Sequence, residues 1–416
     1  MILLKMYIRN FLFPLLFILL ILRAIPEITF LYLLFPVLGL FLLLKIRTEI
    51  SLDDFSKNFL KLLFIYGFWI VLSATWSNSK FISLINGSYF IYIASITFLL
   101  MVYLLIDKIK VFQKLIPANL FLIILCIFSL ISNLPENAWT KGNAQGFAGF
   151  AAHQNTLASV LVLTSFPFFA KVVSKTIGSI QRYIYIILCI FNVVILYLTS
   201  SRGSVILLAV AMFLFLIFYL KIKSFLKVIS ILMVAFFILF QLKLIRTGFE
   251  DFVLKDADEF GASRFGLIQP TIDAAENGGY IGVGYAVSDQ SIITDFGHFV
   301  GEEKRFEREK MISVLAIIEE VGIIGFILFS LHIIYIFYLV ILKIKIFSLK
   351  QISNNNYDDY FNLSVSFAMF ISILIHTQIE AWFSGAMVTS VQLPFYFIYL
   401  GILLKSCNNI LKNKFV

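Results

Sequence analysis

YIYIILCIFNVVILYLTSSRGSVILLAVAMFLFLIFYL (183–220) sets one arginine between two apolar runs, with only small hydroxyl residues and a glycine beside it. A helix crosses the ~30 Å hydrocarbon core of a bilayer in roughly 20 residues, and runs of about 17 suffice. The stretch therefore predicts two antiparallel membrane helices, 183–199 and 204–220, joined by a tight turn around Arg202. A guanidinium stays charged and is costly to desolvate. The turn must therefore supply Arg202 with water, lipid headgroups or an anion.

The rest of the chain repeats the pattern. Of 416 residues, 61% are hydrophobic and 14% charged, with a mean hydropathy of +0.97; soluble domains are nearer half apolar and a quarter charged. Apolar runs fall at 8–23, 28–44, 59–75, 83–106, 115–133, 154–173, 183–199, 204–220, 226–243, 321–342, 361–379 and 385–404. The expected fold is all-α: a polytopic membrane helical bundle of about 12 transmembrane helices, forming a single integral membrane domain over 1–416. A long loop, 244–311, separates spans nine and ten and contains short helices, as GASRFGLIQPTIDAAENGGYIGVGY (261–285) indicates. The first apolar run lacks a cleavage pattern and reads as a retained helix. Cys126, Cys189 and Cys407 show no paired spacing, so neither a disulfide framework nor a zinc site is expected.

Charge sets the orientation. Lysines and arginines gather in alternate loops, among them Lys45, Arg47, Lys57 and Lys61, then Lys221, Lys223 and Lys227, then Lys343, Lys345 and Lys350. The intervening short loops hold only Arg23, Lys80, Lys141 and Arg202. Cationic loops face the cytoplasm, so the expected protein is multi-pass, with both termini cytoplasmic. The net charge of +9 is explained by those loops, and no nucleic-acid partner is expected.

Polar groups collect on the outer face. Ser200, Ser201 and Ser204 surround Arg202, Gly203 lets a ligand approach the backbone, and a helix starts there. A helix N-terminus with an arginine is a competent anion site; the plainer reading is an arginine snorkelling to headgroups. Arg264 opens the helical part of the long loop, ahead of Gly278, Gly279, Gly282 and Gly284, and taken alone it is an ordinary solvated charge. NAQGFAGFAAHQNTLASV (143–160) places His153 and Asn155 where N-caps belong. HFVGEEKRFEREK (298–310) is a charge run ahead of an amphipathic stretch, and HTQIEAW (376–382) puts His376 at an outer helix end. The D-x-D of Asp256 and Asp258 reads as a solvated turn.

Taken in order, GFAAHQNTLAS (149–159), SSRGSVILLAV (200–210), SRFGLIQPTIDAAENGGYIGVGYA (263–286) and EKMISVLAIIEEVGIIGFILF (309–329) resemble the bacterial O-antigen ligase and O-antigen polymerase superfamily, with a shared core over about 145–345. The resemblance implies a periplasmic-face glycosyltransferase. Its donor would be an undecaprenyl-pyrophosphate-linked glycan and its acceptor a saccharide or lipid A core, with no metal or other cofactor, and other polysaccharide-assembly membrane proteins as possible partners. By the same resemblance Arg202 and Arg264 contact the pyrophosphate, and Lys310 can add a third contact. Gly282 and Tyr285 of the glycine-rich turn, with His153, Asn155 and His376, become the candidate glycan and acceptor contacts.

The sequence departs from the typical ligase where a His-Asn pair precedes the last motif. The stretch here reads Glu309, Lys310, Met311, Ile312. Glu309 becomes the candidate base, with His298 and Glu303 as substitutes. The departure leaves a polymerase, or a ligase of another glycan, as open as a ligase onto lipid A core. Glu319 and Glu320 read as local pairing, and Gly322 and Gly325 as close-packing positions. The competing reading is a multi-span transporter or flippase of lipid-linked glycan. Transporters place ionisable groups near the bilayer midplane, and here His332 is the clearest such residue.

Overall fold

The computed structural model describes residues 11–46, 52–104, 111–135, 138–140, 146–151, 153–174, 178–220, 224–227, 230, 262–289, 291, 310, 312–346, 357–383 and 391–414. The architecture is helical: α1 (Phe13–Leu22), α2 (Leu34–Ile46), α3 (Asp54–Leu72), α4 (Lys80–Leu104), α5 (Ile116–Ser132), α6 (Gln154–Val173), α7 (Ser179–Leu198), α8 (Arg202–Tyr219), α9 (Ala262–Gly278), α10 (Ser313–Phe337), α11 (Tyr357–His376) and α12 (Gln392–Lys414). One antiparallel pair of two-residue strands, β1 (Trp139–Thr140) and β2 (Gly146–Phe147), forms a small hairpin.

Among the described residues, eight helices are long and apolar enough to cross a membrane, and two shorter apolar helices, Phe13–Leu22 and Leu34–Lys45, precede them. The expected ninth span, 226–243, lies almost wholly outside the described residues, as does the start of the last, 385–404. The second expected span is a 3-10 turn, Pro26–Leu33, running into α2. The tenth begins at Ser313 rather than 321, because Glu319 and Glu320 do not end the apolar helix: they are buried within it.

The chain divides into two compact units, each assembled from separated stretches. The first contains 1–30, 110–263 and 346–372. Here α6 packs against α7 and α8, and α1 against α5. One polar cluster ties the helices together: Asn119 donates to Thr164 and to Asn192 Oδ1 (both 3.0 Å), and Asn192 donates back to Asn119 at 2.9 Å. Such amide bonds hold apolar helices in register where burial cannot, since lipid is as apolar as the helices. α7 shows the consequence. Leu188, Asn192 and Ile195 are buried, whereas Ile180, Ile184, Ile187, Phe191 and Val194 form an exposed stripe at helical spacing, as lipid-facing residues do.

The second unit contains 31–109, 264–345 and 373–416. α4 packs on α12, α3 and α2, and α3 packs on α10. His332 sits in its interior, 2.8 Å from the Tyr396 hydroxyl and edge-on to Phe329. That pairing gives His332 a local partner.

Candidate functional site

The arginine turn and the glycine-rich turn that the sequence singles out lie one in each unit.

In the first unit, the turn between α7 and α8 is built around a left-handed residue, Ser200 (φ +51°). Ser201 is the extended N-cap of α8 with no side-chain capping bond; its hydroxyl donates instead to Ser204 Oγ at 3.1 Å. Ser201 and Ser204 are buried, and Arg202, the first helical residue, is half-buried. The Ser201 carbonyl accepts from Val205, the first intrahelical bond. A helix start leaves the first-turn amides without intrahelical acceptors, so the arginine and the positive end of the helix dipole share one location.

The hairpin backs this turn. A Cβ on Gly146 would stand 2.2 Å from the Thr199 carbonyl oxygen and 3.4 Å from the Gln154 side chain, so only glycine permits the approach. The same glycine therefore packs against the turn ahead of α8 and the start of α6. At that start His153, not Asn155, is the N-cap: its Nδ1 accepts the Asn155 amide at 3.2 Å.

In the second unit, the glycine-rich turn after α9 is threaded into a break in α10. Gly322 (φ +72°) interrupts the helix. The backbones interlock there: Val283 and Gly284 amides donate to the Glu319 and Glu320 carbonyls (both 2.9 Å), and the Ile323 amide to Gly279 at 3.0 Å. A Cβ on Gly282 would lie 2.3 Å from the Glu320 carbonyl, and one on Gly322 would lie 2.1 Å from the Tyr280 carbonyl. Trp69 and Trp76 indoles donate to the Val321 and Ile281 carbonyls at 2.9 and 3.1 Å, and Ser73 Oγ accepts the Tyr285 amide at 3.0 Å. Gly282 and Gly279 separate two costs. Both have positive φ, but a Cβ on Gly279 meets nothing within 4 Å. Gly279→Ala should therefore cost only the left-handed strain, about 1–2 kcal/mol. Gly282→Ala adds a backbone collision and should lower thermal stability in detergent clearly further; equal shifts would contradict the interlock.

A buried ion cluster seals this joint. Lys310 Nζ is 2.7 Å from Glu320 and 3.4 Å from Glu319, and donates to the Val287 carbonyl at 3.1 Å. The side chains of Lys310, Glu319 and Glu320 are 3%, 0% and 0% exposed. Glu320 Oε2 accepts the Ala286 amide (2.9 Å) and Glu319 Oε1 the Asp289 amide (2.8 Å). One ammonium and two backbone donors thus engage all four carboxylate oxygens, which is what makes buried charge tolerable.

Tyr285 is buried with its ring edge-on to Phe90. Burial, with Tyr66 and the Glu320 charge nearby, pushes its phenol well above the ordinary value and keeps it neutral. The exposed aromatic of the turn is Tyr280, 75% exposed, which the sequence reading passed over. His376 ends α11, buried and 4.7 Å from the Trp382 ring. Arg264 belongs to the first turn of α9, and its side chain lies outside the described residues. So do His298, Glu303 and Glu309 entirely, and Asp256 and Asp258. The Lys310–Glu319–Glu320 cluster was missed as a unit; its only sequence signal was an acidic pair inside an apolar run with a lysine upstream.

A family model described as O-antigen ligase matches residues 187–330, about a third of the chain. The match runs from α7 through the Arg202 turn, α9 and the glycine-rich turn into the broken helix α10. Among curated proteins no match was found. Several apolar helices and this match support a multi-pass membrane protein that transfers glycosyl groups. In the segment that carries its arginine turn and its interlocked glycines, the chain is similar to the O-antigen ligase and polymerase superfamily.

Proposed function

We propose that this protein moves a glycan from undecaprenyl pyrophosphate to an acceptor saccharide at the periplasmic face of a bacterial inner membrane, as a surface-polysaccharide polymerase or ligase. The observation that supports it most is the Arg202 turn: a half-buried guanidinium at the start of α8, beside a left-handed serine and two buried hydroxyls, inside the family-matched segment. In the reaction the bond from the anomeric carbon to the phosphate oxygen breaks and its electron pair leaves with the diphosphate. The acceptor oxygen bonds to the anomeric carbon and gives its proton to a base. Charge grows on the departing diphosphate, and prepositioned guanidiniums stabilise it as it grows. Arg202 and Arg264 take that role. Glu309 is the proposed base, with His298 and Glu303 as substitutes, and Tyr280, His153, Asn155 and Gly282 border the glycan. Lys310, whose ammonium is engaged by three oxygens, enters as the anchor that holds the chain immediately after Glu309.

The test is reconstitution. The purified protein, given a lipid-pyrophosphate glycan and candidate acceptors, should yield glycosylated acceptor and free lipid diphosphate by mass spectrometry. Glu309→Gln should lower turnover more than it weakens donor binding. Movement of intact donor across the bilayer with no glycosylated product would support the flippase reading instead.

A further inference from the structure

The end of the second unit away from the glycine turn holds a cleft of about 530 Å³ with no part in the chemistry above. α3 joins the two ends: Trp69 and Ser73, near its C-terminus, pin the glycine turn, whereas Asp53 and Asn58, at its N-terminus, line the cleft. With 19 residues at about 1.5 Å each, α3 is about as long as a membrane is thick. By the distribution of lysines and arginines, the cleft belongs to the cytoplasmic surface.

Its lining carries both signs of charge. Asp53 and Asp54 stand with Lys343 and Lys412, together with Asn58 and Asn408. These charges do not neutralise one another. Asp54 pairs loosely with Lys57 at 3.6 Å on the surface, and Lys343 lies over the Phe55 ring at 4.5 Å. Among the described residues neither Lys343 nor Lys412 forms an ion pair with a carboxylate. Asp53 Oδ1 caps α3 by accepting the Ser56 amide at 2.9 Å, but Oδ2 is shielded from water and has no hydrogen-bond partner. A carboxylate with one oxygen out of water and unmatched is costly, and a ligand ammonium in the cleft beside Asp53 would offset its charge. The two lysines offer the complementary place for an anion. Apolar surface adjoins the cleft: Ile334 near the end of α10 and Tyr338, Ile341 and Leu342 in the π-helical turn that continues it, Tyr338–Lys343, are exposed, and Tyr338 also lines the cleft.

We propose that this cleft binds the headgroup of an amine-bearing phospholipid of the cytoplasmic leaflet. The primary ammonium meets Asp53, the phosphodiester sits toward Lys343 and Lys412, and the acyl chains lie along the Ile334–Leu342 stripe. A cleft of this volume is of the size that encloses small ligands. The proposal stands independently of the transfer chemistry.

The test is lipid retention by the full-length protein in detergent, read by native mass spectrometry with phosphatidylethanolamine, phosphatidylglycerol or phosphatidylcholine added. Phosphatidylethanolamine should be retained best, because a quaternary ammonium cannot donate a hydrogen bond to the Asp53 carboxylate and a glycerol headgroup has no cation. Asp53→Asn keeps a good helix cap and should weaken that retention about tenfold or more, the scale of one lost charge-assisted hydrogen bond. Lys343→Gln with Lys412→Gln should weaken it as well. Equal retention of the three lipids, or undiminished retention in Asp53→Asn, would overturn the proposal. Displacement of the lipid by soluble glycerophosphoethanolamine at matching concentration would also overturn it, by making the occupant a free zwitterion.

Discussion

Arg202→Ala should lower glycan transfer by about 10²–10³-fold while the protein still inserts at its normal level, the scale of removing one preorganised donor from a developing oxyanion. The separation of activity from folding follows from the local structure. Ser201, not Arg202, is the N-cap of α8, the turn is shaped by Ser200, and Gly146 packs the hairpin closely onto Thr199. Arg202→Lys should recover part of the rate, because a point charge keeps the sign but loses the planar fork that matches a diphosphate. Initial rates with a lipid-pyrophosphate glycan, set beside size-exclusion profiles of the variants, check this. A variant that folds and transfers at the parent rate contradicts it. The same loss is expected for Arg264→Ala.

Lys310→Met has the second large effect, and it acts on stability first. Removing the ammonium takes the cation from one oxygen each of Glu319 and Glu320, both fully buried, while the Asp289 and Ala286 amides stay on the other oxygens. Breaking one side of a buried ion pair costs about 3–5 kcal/mol. That should lower the melting temperature in detergent and open the 279–291 turn to protease. Adding Glu320→Gln should restore part of the loss, because the amide carbonyl still accepts from Ala286 while one stranded charge disappears. A double variant no more stable than Lys310→Met alone would show that the two side chains are not coupled as drawn. Transfer should fall with the turn, since Lys310 directly follows the proposed base in the chain.

Much of this was legible in the sequence, for a simple reason: a bilayer makes long apolar runs obligatory, so α3 through α8 stand close to their expected limits. The start of α8 at Arg202 was legible from small hydroxyls and a glycine between two runs. Which face of each helix is buried was not, because α7 is apolar on every side; Asn192 alone marks its inner face, and its partner Asn119 lies on another span. Charge misled at α10. An acidic pair reads as the end of a span unless its counter-ion is known, and Lys310 reaches it only once the glycine turn is in place. Gly322 was read as a packing position between helices. It is instead a break with positive φ, whose room is filled by the backbone of another segment, and no local pattern announces that. The choice between His153 and Asn155 as cap turned on two residues of register.

The central claim is that Arg202 holds a lipid diphosphate. It is tested most directly by measuring how tightly the purified protein, in lipid nanodiscs, binds undecaprenyl diphosphate against undecaprenyl monophosphate. The account predicts a clear preference for the diphosphate in the parent protein and loss of that preference in Arg202→Ala, with the weak binding of the monophosphate little changed. Equal binding of the two lipids by the parent, or an undiminished preference in Arg202→Ala, would contradict it.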